Sequence, residues 1–171
     1  MLLMMLSLAA TAVPEMTSAG PYSISFDLNT TRNYTIEQKP TWSPGLFSQY
    51  PVVIMTNNQS WAGVAVYDYS NLTDSTTLTQ KDLLFSAMAL QGFRNLTIDD
   101  ATIDGMPAVV AVGFDPNGQS ALRAWYWKDS QDCECGPVSV GRTRVEVIST
   151  YPMDVTESLL QTVHVQRNST A

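Results

Sequence analysis

Short stretches of alternating apolar and polar residues recur along this chain, each closed by a compact turn signal. A chain built that way folds mainly as antiparallel sheet. The clearest turn is Asp104-Gly105, which stands between a strand-like run beginning at Leu96 and the apolar run Pro107 to Phe114. Two-residue hairpin turns need two left-handed residues, and Asp-Gly supplies them. Asp115-Pro116-Asn117-Gly118 reads as a type I turn with proline at its second position. Further strands are expected at Tyr22 to Leu28, Tyr34 to Ile36, Pro51 to Thr56, Trp61 to Tyr69, Ala121 to Trp127 and Arg144 to Thr150. The first two read as two short strands or a hairpin.

Two segments carry helical spacing instead. Thr79-Gln80-Lys81-Asp82 has the form of a capping box with Asp in the acidic position, and Leu84, Ala87, Met88 and Gln91 follow on one face, with Gly92 as the stop. Asp154 and Glu157 form a second capping pair ahead of the stripe Val155, Leu159, Leu160 and Val163. His164 and Arg167 would then lie near that helix's C-terminal end, where positive charge suits the dipole. The expected class is α+β: a mainly antiparallel sheet with two main helices packed on it, an αβα sandwich. Residues 1–12 read as a signal-like segment, 13–20 as a linker, 21–167 as a single domain and 168–171 as a tail.

Tyr34-x-Ile36-x-x-Lys39-Pro40-x-Trp42 is similar to the opening motif of PsbP/Mog1-like domains, with Lys39 where that motif has an aromatic residue. Ile103-Asp104-Gly105-Met106-Pro107-Ala108 resembles the mid-domain hairpin of the same group, and VEVISTYPMDVTESLLQTVHV resembles its closing strand and helix. The order of elements agrees from about residue 22 to 167. The resemblance is to exported prokaryotic members without an assigned role. It implies a fold and carries over no functional residue.

Leu2 to Ala10 is an apolar run too short to span a bilayer, followed by Ala10-Thr11-Ala12, an A-x-A-like cleavage site. It reads as a secretory signal, although no Lys or Arg precedes it. The alternative is an N-terminal tail. Of eight asparagines, six stand in N-x-S/T: Asn29, Asn33, Asn58, Asn71, Asn95 and Asn168. Glycan acceptors of an exported protein take that form, and each used acceptor must be exposed. The net charge is −7 with nine Lys and Arg in 171 residues. That balance argues against a nucleic-acid partner, which needs a basic patch, and against an anionic membrane surface. No other segment has the length of a transmembrane span.

Cys133 and Cys135 are the only cysteines. A structural zinc wants four ligands, and a redox pair is usually C-x-x-C beside a βαβ unit. In an exported chain the pair reads as a strained disulfide staple within its loop. Copper(I) on two thiolates, free thiols and intermolecular bridges are the alternatives. His164 is the lone histidine. It has no G-x-S-x-G or similar nucleophile setting in the sequence, so a helix-end role is expected. Asp99, Asp100 and Asp104 make an oxygen-rich stretch without EF-hand spacing, a weak candidate for Ca²⁺. Trp125-Tyr126-Trp127 puts two indoles on one strand face and the phenol on the other, as core or as an apolar groove.

No catalytic constellation and no cofactor motif stands out. The expected function is a non-enzymatic, exported and N-glycosylated binding domain with a protein partner at the cell envelope. A cation- or small-ligand-binding module is the alternative, and a hydrolase a more distant one.

Overall fold

Every strand pairing among the described residues is antiparallel, and the strands divide between two sheets. The computed structural model describes residues 14–31, 33–56, 60–69, 79–128 and 143–168. The strands are β1 (Glu15–Ala19), β2 (Tyr22–Phe26), β3 (Tyr34–Gln38), β4 (Phe47–Thr56), β5 (Trp61–Tyr69), β6 (Arg94–Ile103), β7 (Met106–Phe114), β8 (Ser120–Trp127), β9 (Thr143–Ser149) and β10 (His164–Arg167). The helices are α1 (Gln80–Leu90), between β5 and β6, and α2 (Met153–Thr162), between β9 and β10.

The larger sheet has the order β3-β4-β5-β9-β8-β7-β6, and the smaller one β1-β2-β10. β3, β4 and β5 form a meander. The chain then passes through α1 to the far edge, where β6 begins a second meander that returns until β9 pairs with β5. α1 starts where the sequence places it. Thr79 accepts from the Asp82 N–H, the Asp82 carboxylate accepts in return from the Thr79 N–H, and Gly92 follows the helix at φ 83°.

The period of two along each strand gives the larger sheet two distinct faces. The inner face presents Val52, Ile54, Val64, Val66, Tyr126 and Val147, all within 1% of full burial. Ile24 and Phe26 of β2, Val165 of β10, and Val155 and Leu159 of α2 close over it in one continuous core. On the outer face, Leu84 and Met88 of α1 bury Val109, Ala111 and Trp125 in a second cluster. α1 therefore covers the β6–β8 side of that face.

This arrangement corrects the expected αβα sandwich. The molecule is mostly antiparallel sheet in two layers with two short helices, and the inner face is covered chiefly by the smaller sheet. Tyr22–Phe26 and Tyr34–Gln38 are not a hairpin, because they belong to different sheets. Residues 15–19, read as linker, form β1, in register with β2 from Glu15↔Phe26 to Ala19↔Tyr22. α2 has Pro152 at its N-cap and no side-chain cap, so Asp154 and Glu157 do not make a capping box. His164–Arg167, expected at a helix end, forms β10 on β2. The helix ends because Val163 takes φ −61°, ψ 127°, which sends its side chain and that of Val165 into the core.

The Asp104 carboxylate joins the two layers. Asp104 and Gly105 occupy the β6–β7 turn at φ 55° and 71°, as a two-residue hairpin requires. The Asp104 side chain is 4% exposed. It accepts from Lys128 Nζ at 2.6 Å, the Val165 N–H at 3.0 Å and the Tyr126 hydroxyl at 3.2 Å, and it meets His164 Nδ1 at 2.5 Å. Burial raises its pKa, but the bonds from Lys128, Val165 and His164 outweigh that and hold it below the usual carboxyl value. A depressed folded value means stability that is present above the ordinary carboxyl pKa near 4 and lost as pH falls through the folded value. Asp104→Asn should lower unfolding stability at pH 7 by about 2–3 kcal/mol, the usual worth of a charge-assisted bond. It should also flatten the acid limb of the stability profile. Urea melts at pH 7 and pH 3 measure both, and an acid limb as steep as in the parent would remove Asp104 as its source.

Candidate functional site

The side of the outer face not covered by α1 carries the molecule's densest mix of aromatic and charged side chains. Register lines them up in rows across β4, β5, β9 and β8. Gln49, Tyr67, Arg144 and Trp127 form one row, Pro51, Ala65, Glu146 and Trp125 the next, and Val53, Gly63, Ile148 and Arg123 a third. Beyond them Met55 pairs with Trp61. The residues of β5 run from large to small to large, so Ala65 and Gly63 lie low between Tyr67 and Trp61. Trp61 leans back along its strand until its ring lies 3.4 Å from where a Cβ on Gly63 would be.

Charges on this face interact along the diagonals of the sheet, where long side chains reach neighbours two residues away. Arg123 Nε is 3.0 Å from Glu146 Oε1, with side chains 11% and 8% exposed. That N–H does not aim at the oxygen, so the contact is an ion pair rather than an aligned hydrogen bond. Arg123 Nη2 donates to Gln91 Oε1 at 3.0 Å, which ties the pair to the end of α1. The Tyr67 hydroxyl donates to Glu146 Oε2 at 2.7 Å and accepts from Gln49 Nε2 at 2.8 Å. Burial first, and then the Glu146 charge, raise the Tyr67 pKa well above the ordinary phenol value. Tyr67 is therefore a neutral donor at physiological pH.

Arg144 is held differently. Its guanidinium carbon lies 4.5 Å from the Tyr67 ring centroid and 4.3 Å from that of Trp125, with Tyr69 at 5.7 Å. These are cation–π distances, worth about 0.5–2 kcal/mol each. Among the described residues no carboxylate lies within ion-pair distance of it. Its Nε is buried without an acceptor, and so is Trp125 Nε1. Beside it Phe47, Tyr67, Tyr69 and Trp127 pack ring against ring at 5.6–5.7 Å, and Trp42 stands edge-on to Phe47 at 5.3 Å. Trp42, Leu46, Met55 and Trp61 are exposed around this region.

Of the residues singled out from sequence, Trp125 and Trp127 lie on this face and the others lie elsewhere. Asp99 and Asp100 follow one another on β6 and face opposite ways. Asp100 is bound by Lys81 Nζ at 2.6 Å, and Asp104 is enclosed by its four partners at the turn. The three do not converge, and among the described residues no group of three or more His, Cys, Asp or Glu could hold a metal ion. Cys133 and Cys135 lie outside the described residues, as do Asn58 and Asn71. Asn29, Asn33, Asn95 and Asn168 are all exposed, and Asn29 and Asn95 take left-handed turns at φ 42° and 52°. Trp125 and Trp127 share the outer face and Tyr126 the inner one, as the alternation indicates.

Arg123, Arg144, Glu146 and Tyr67 were not read as a site. The signal for them is a charged residue at an outward position in an otherwise apolar strand, in ALRAWYW and in RVEVIST. No helix among the described residues is long and apolar enough to cross a membrane. No family model, curated protein or solved structure matches this chain.

Removing one member of a buried ion pair leaves the other uncompensated, whereas removing both can be near neutral. Glu146→Leu should therefore cost about 3–5 kcal/mol of stability, and the Arg123→Leu/Glu146→Leu double variant much less than the sum of its single variants. Urea denaturation of the four proteins closes the cycle, and additive losses would show that the two side chains are not coupled.

Proposed function

We propose that this chain is an exported, N-glycosylated domain that catalyses no reaction and binds another protein at the cell envelope. The observation that carries the reading is the β4–β5 side of the outer face. There Trp61 and Met55 are 36% and 39% exposed, and Trp42 and Leu46 are 56% and 49% exposed nearby. Exposed aromatic and apolar residues gathered on one side of a folded chain mark interaction surfaces, and the fully buried part of such surfaces favours Trp, Tyr and Arg.

The described sequons support the same reading. Asn29 and Asn33 lie on the β2–β3 connection, Asn95 on the edge strand β6 and Asn168 after β10. None stands on β4, β5 or β9, so glycans at these four positions leave that side of the face open. Their exposure meets the steric demand of an attached sugar.

The intact mass of the native protein from its own host, before and after enzymatic glycan removal, tests export directly. The expected result is a chain beginning near Val13 with glycan mass on several of the six sequon asparagines, Asn29, Asn33, Asn58, Asn71, Asn95 and Asn168. An unmodified chain beginning at Met1 would withdraw the exported reading.

A further inference from the structure

Among the described residues of the outer rows of β4, β5, β9 and β8, which carry Arg123 and Arg144, one positive charge has no carboxylate beside it. Lys39, Lys81, Arg123 and Lys128 each have a carboxylate within 3.0 Å. Arg144 has none among the described residues, although Tyr67 and Trp125 hold it rigidly between their rings. Arg123 and Glu146 cancel one another, so the local charge is that of Arg144, in a chain whose net charge is −7. Such a site is complementary to an anion, and only at short range, because the molecule as a whole repels anions.

Two buried donors sharpen the point. The Nε of Arg144 and the Nε1 of Trp125 are both excluded from solvent without an acceptor, and Trp125 is only 7% exposed. Buried donors without partners cost free energy, so an acceptor brought against the half-buried Arg144 side chain has more to gain than at an ordinary surface arginine. A stacked guanidinium is already pre-organised, and its planar fork matches the two oxygens of a carboxylate.

The surroundings say what the carboxylate is attached to. On one side of Arg144 stand Phe47 and Trp42, and on the other the low floor of Ala65 and Gly63 leads to Trp61. A free small acid would leave both apolar flanks uncovered. An extended peptide would not, because its alternate side chains fall on one face at the spacing of the sheet below.

We propose that the outer face of β4, β5 and β9 receives an extended segment of a partner protein, with a Glu or Asp carboxylate on Arg144 and apolar side chains on the flanks. This rests on the binding reading above and adds the chemistry of the bound segment. Arg144 supplies the charge-assisted bond, Tyr67 and Trp125 fix its plane, and Phe47 and Trp61 take the flanking side chains.

The test uses the full chain and two synthetic peptides, Ac-Phe-Ala-Glu-Ala-Phe-NH2 and the same sequence with Gln in place of Glu. In extended form the first, third and fifth side chains share a face. Titrations are followed by NMR at the arginine Nε–H and indole Nε1–H resonances. The Glu peptide should shift the Arg144 and Trp125 signals, and the Gln peptide should bind about tenfold more weakly or worse. Arg144→Gln should bring the Glu peptide down to the level of the Gln peptide. Arg144→Lys, which keeps the charge and loses the fork, should fall between, with thermal melts showing that both variants fold.

Equal binding of the two peptides, or unchanged binding by a folded Arg144→Gln variant, would overturn the carboxylate proposal and leave an apolar binding face standing. Absence of any shift with either peptide would overturn it as well. The exported binding reading itself falls by a different measurement, the native mass described above.

Discussion

The buried Asp104 carboxylate ties the two layers of this molecule together. Asp104 sits in a hairpin turn of the large sheet, yet it accepts from the backbone of β10 in the small sheet and from Lys128 just past β8. These segments are 24 and 61 residues away along the chain. Nothing but the folded state brings them together, so their mutual support is tertiary in origin. The Asp104 charge is tolerable at 4% exposure because Lys128, Tyr126, the Val165 N–H and His164 all bond to it. A second polar clasp, the Tyr22 hydroxyl on Asp68 beside Thr143, ties β2 to the opposite margin of the large sheet. Between the two clasps Ile24, Phe26 and Val165 seal the inner face with apolar contacts, and the buried Ser149–Thr156 hydroxyl bond at 2.7 Å joins β9 to α2.

With the inner face sealed, the half of the outer face that α1 leaves open is the part where the proposed binding would take place. α1 is eleven residues long and packs over β6 and β7, with Trp125 at its margin. The rest of the face has to manage its own solvation, and it does so with a mixed strategy. Arg123 and Glu146 pair, Tyr67 stays neutral and bridges Gln49 to Glu146, and Arg144 is stacked rather than paired. The stacking keeps a cation in place without consuming its hydrogen-bonding capacity. Arg144 is thereby a structural element of the sheet, held by the Tyr67 and Trp125 rings.

Much of the local structure was legible in the sequence because it is decided by nearest neighbours. The Asp104-Gly105 turn, the Thr79–Asp82 capping box, the stop at Gly92 and the split of Trp125 and Trp127 from Tyr126 all follow from turn chemistry and alternation. The readings that failed depended on partners far away. Glu15–Ala19 is too polar to look like a strand, and it is one because β2 offers an edge. His164–Arg167 continues a helical apolar spacing, and it turns extended because Val165 reaches the core only that way. The acidic stretch from Asp99 to Asp104 looked like a cation site, since sequence does not reveal that Lys81, Lys128 and His164 already occupy two of its three carboxylates.

The candidate site shows the same division. Composition and alternation alone establish that β8 and β9 carry Arg123, Arg144 and Glu146 outward on otherwise apolar strands, since side-chain direction has a strict period of two. They also establish that the chain is acidic and rich in sequons. Strand order is a different matter. The pairing of β5 with β9, across more than seventy residues, sets Tyr67 against Arg144, and the pairing of β8 with β9 sets Trp125 beside it. Sequence does not encode which strands become neighbours in any local signal, because that choice is made by the burial of whole faces. Arg144 therefore became a stacked cation, and Asp104 the tie between two sheets, only when the layers closed.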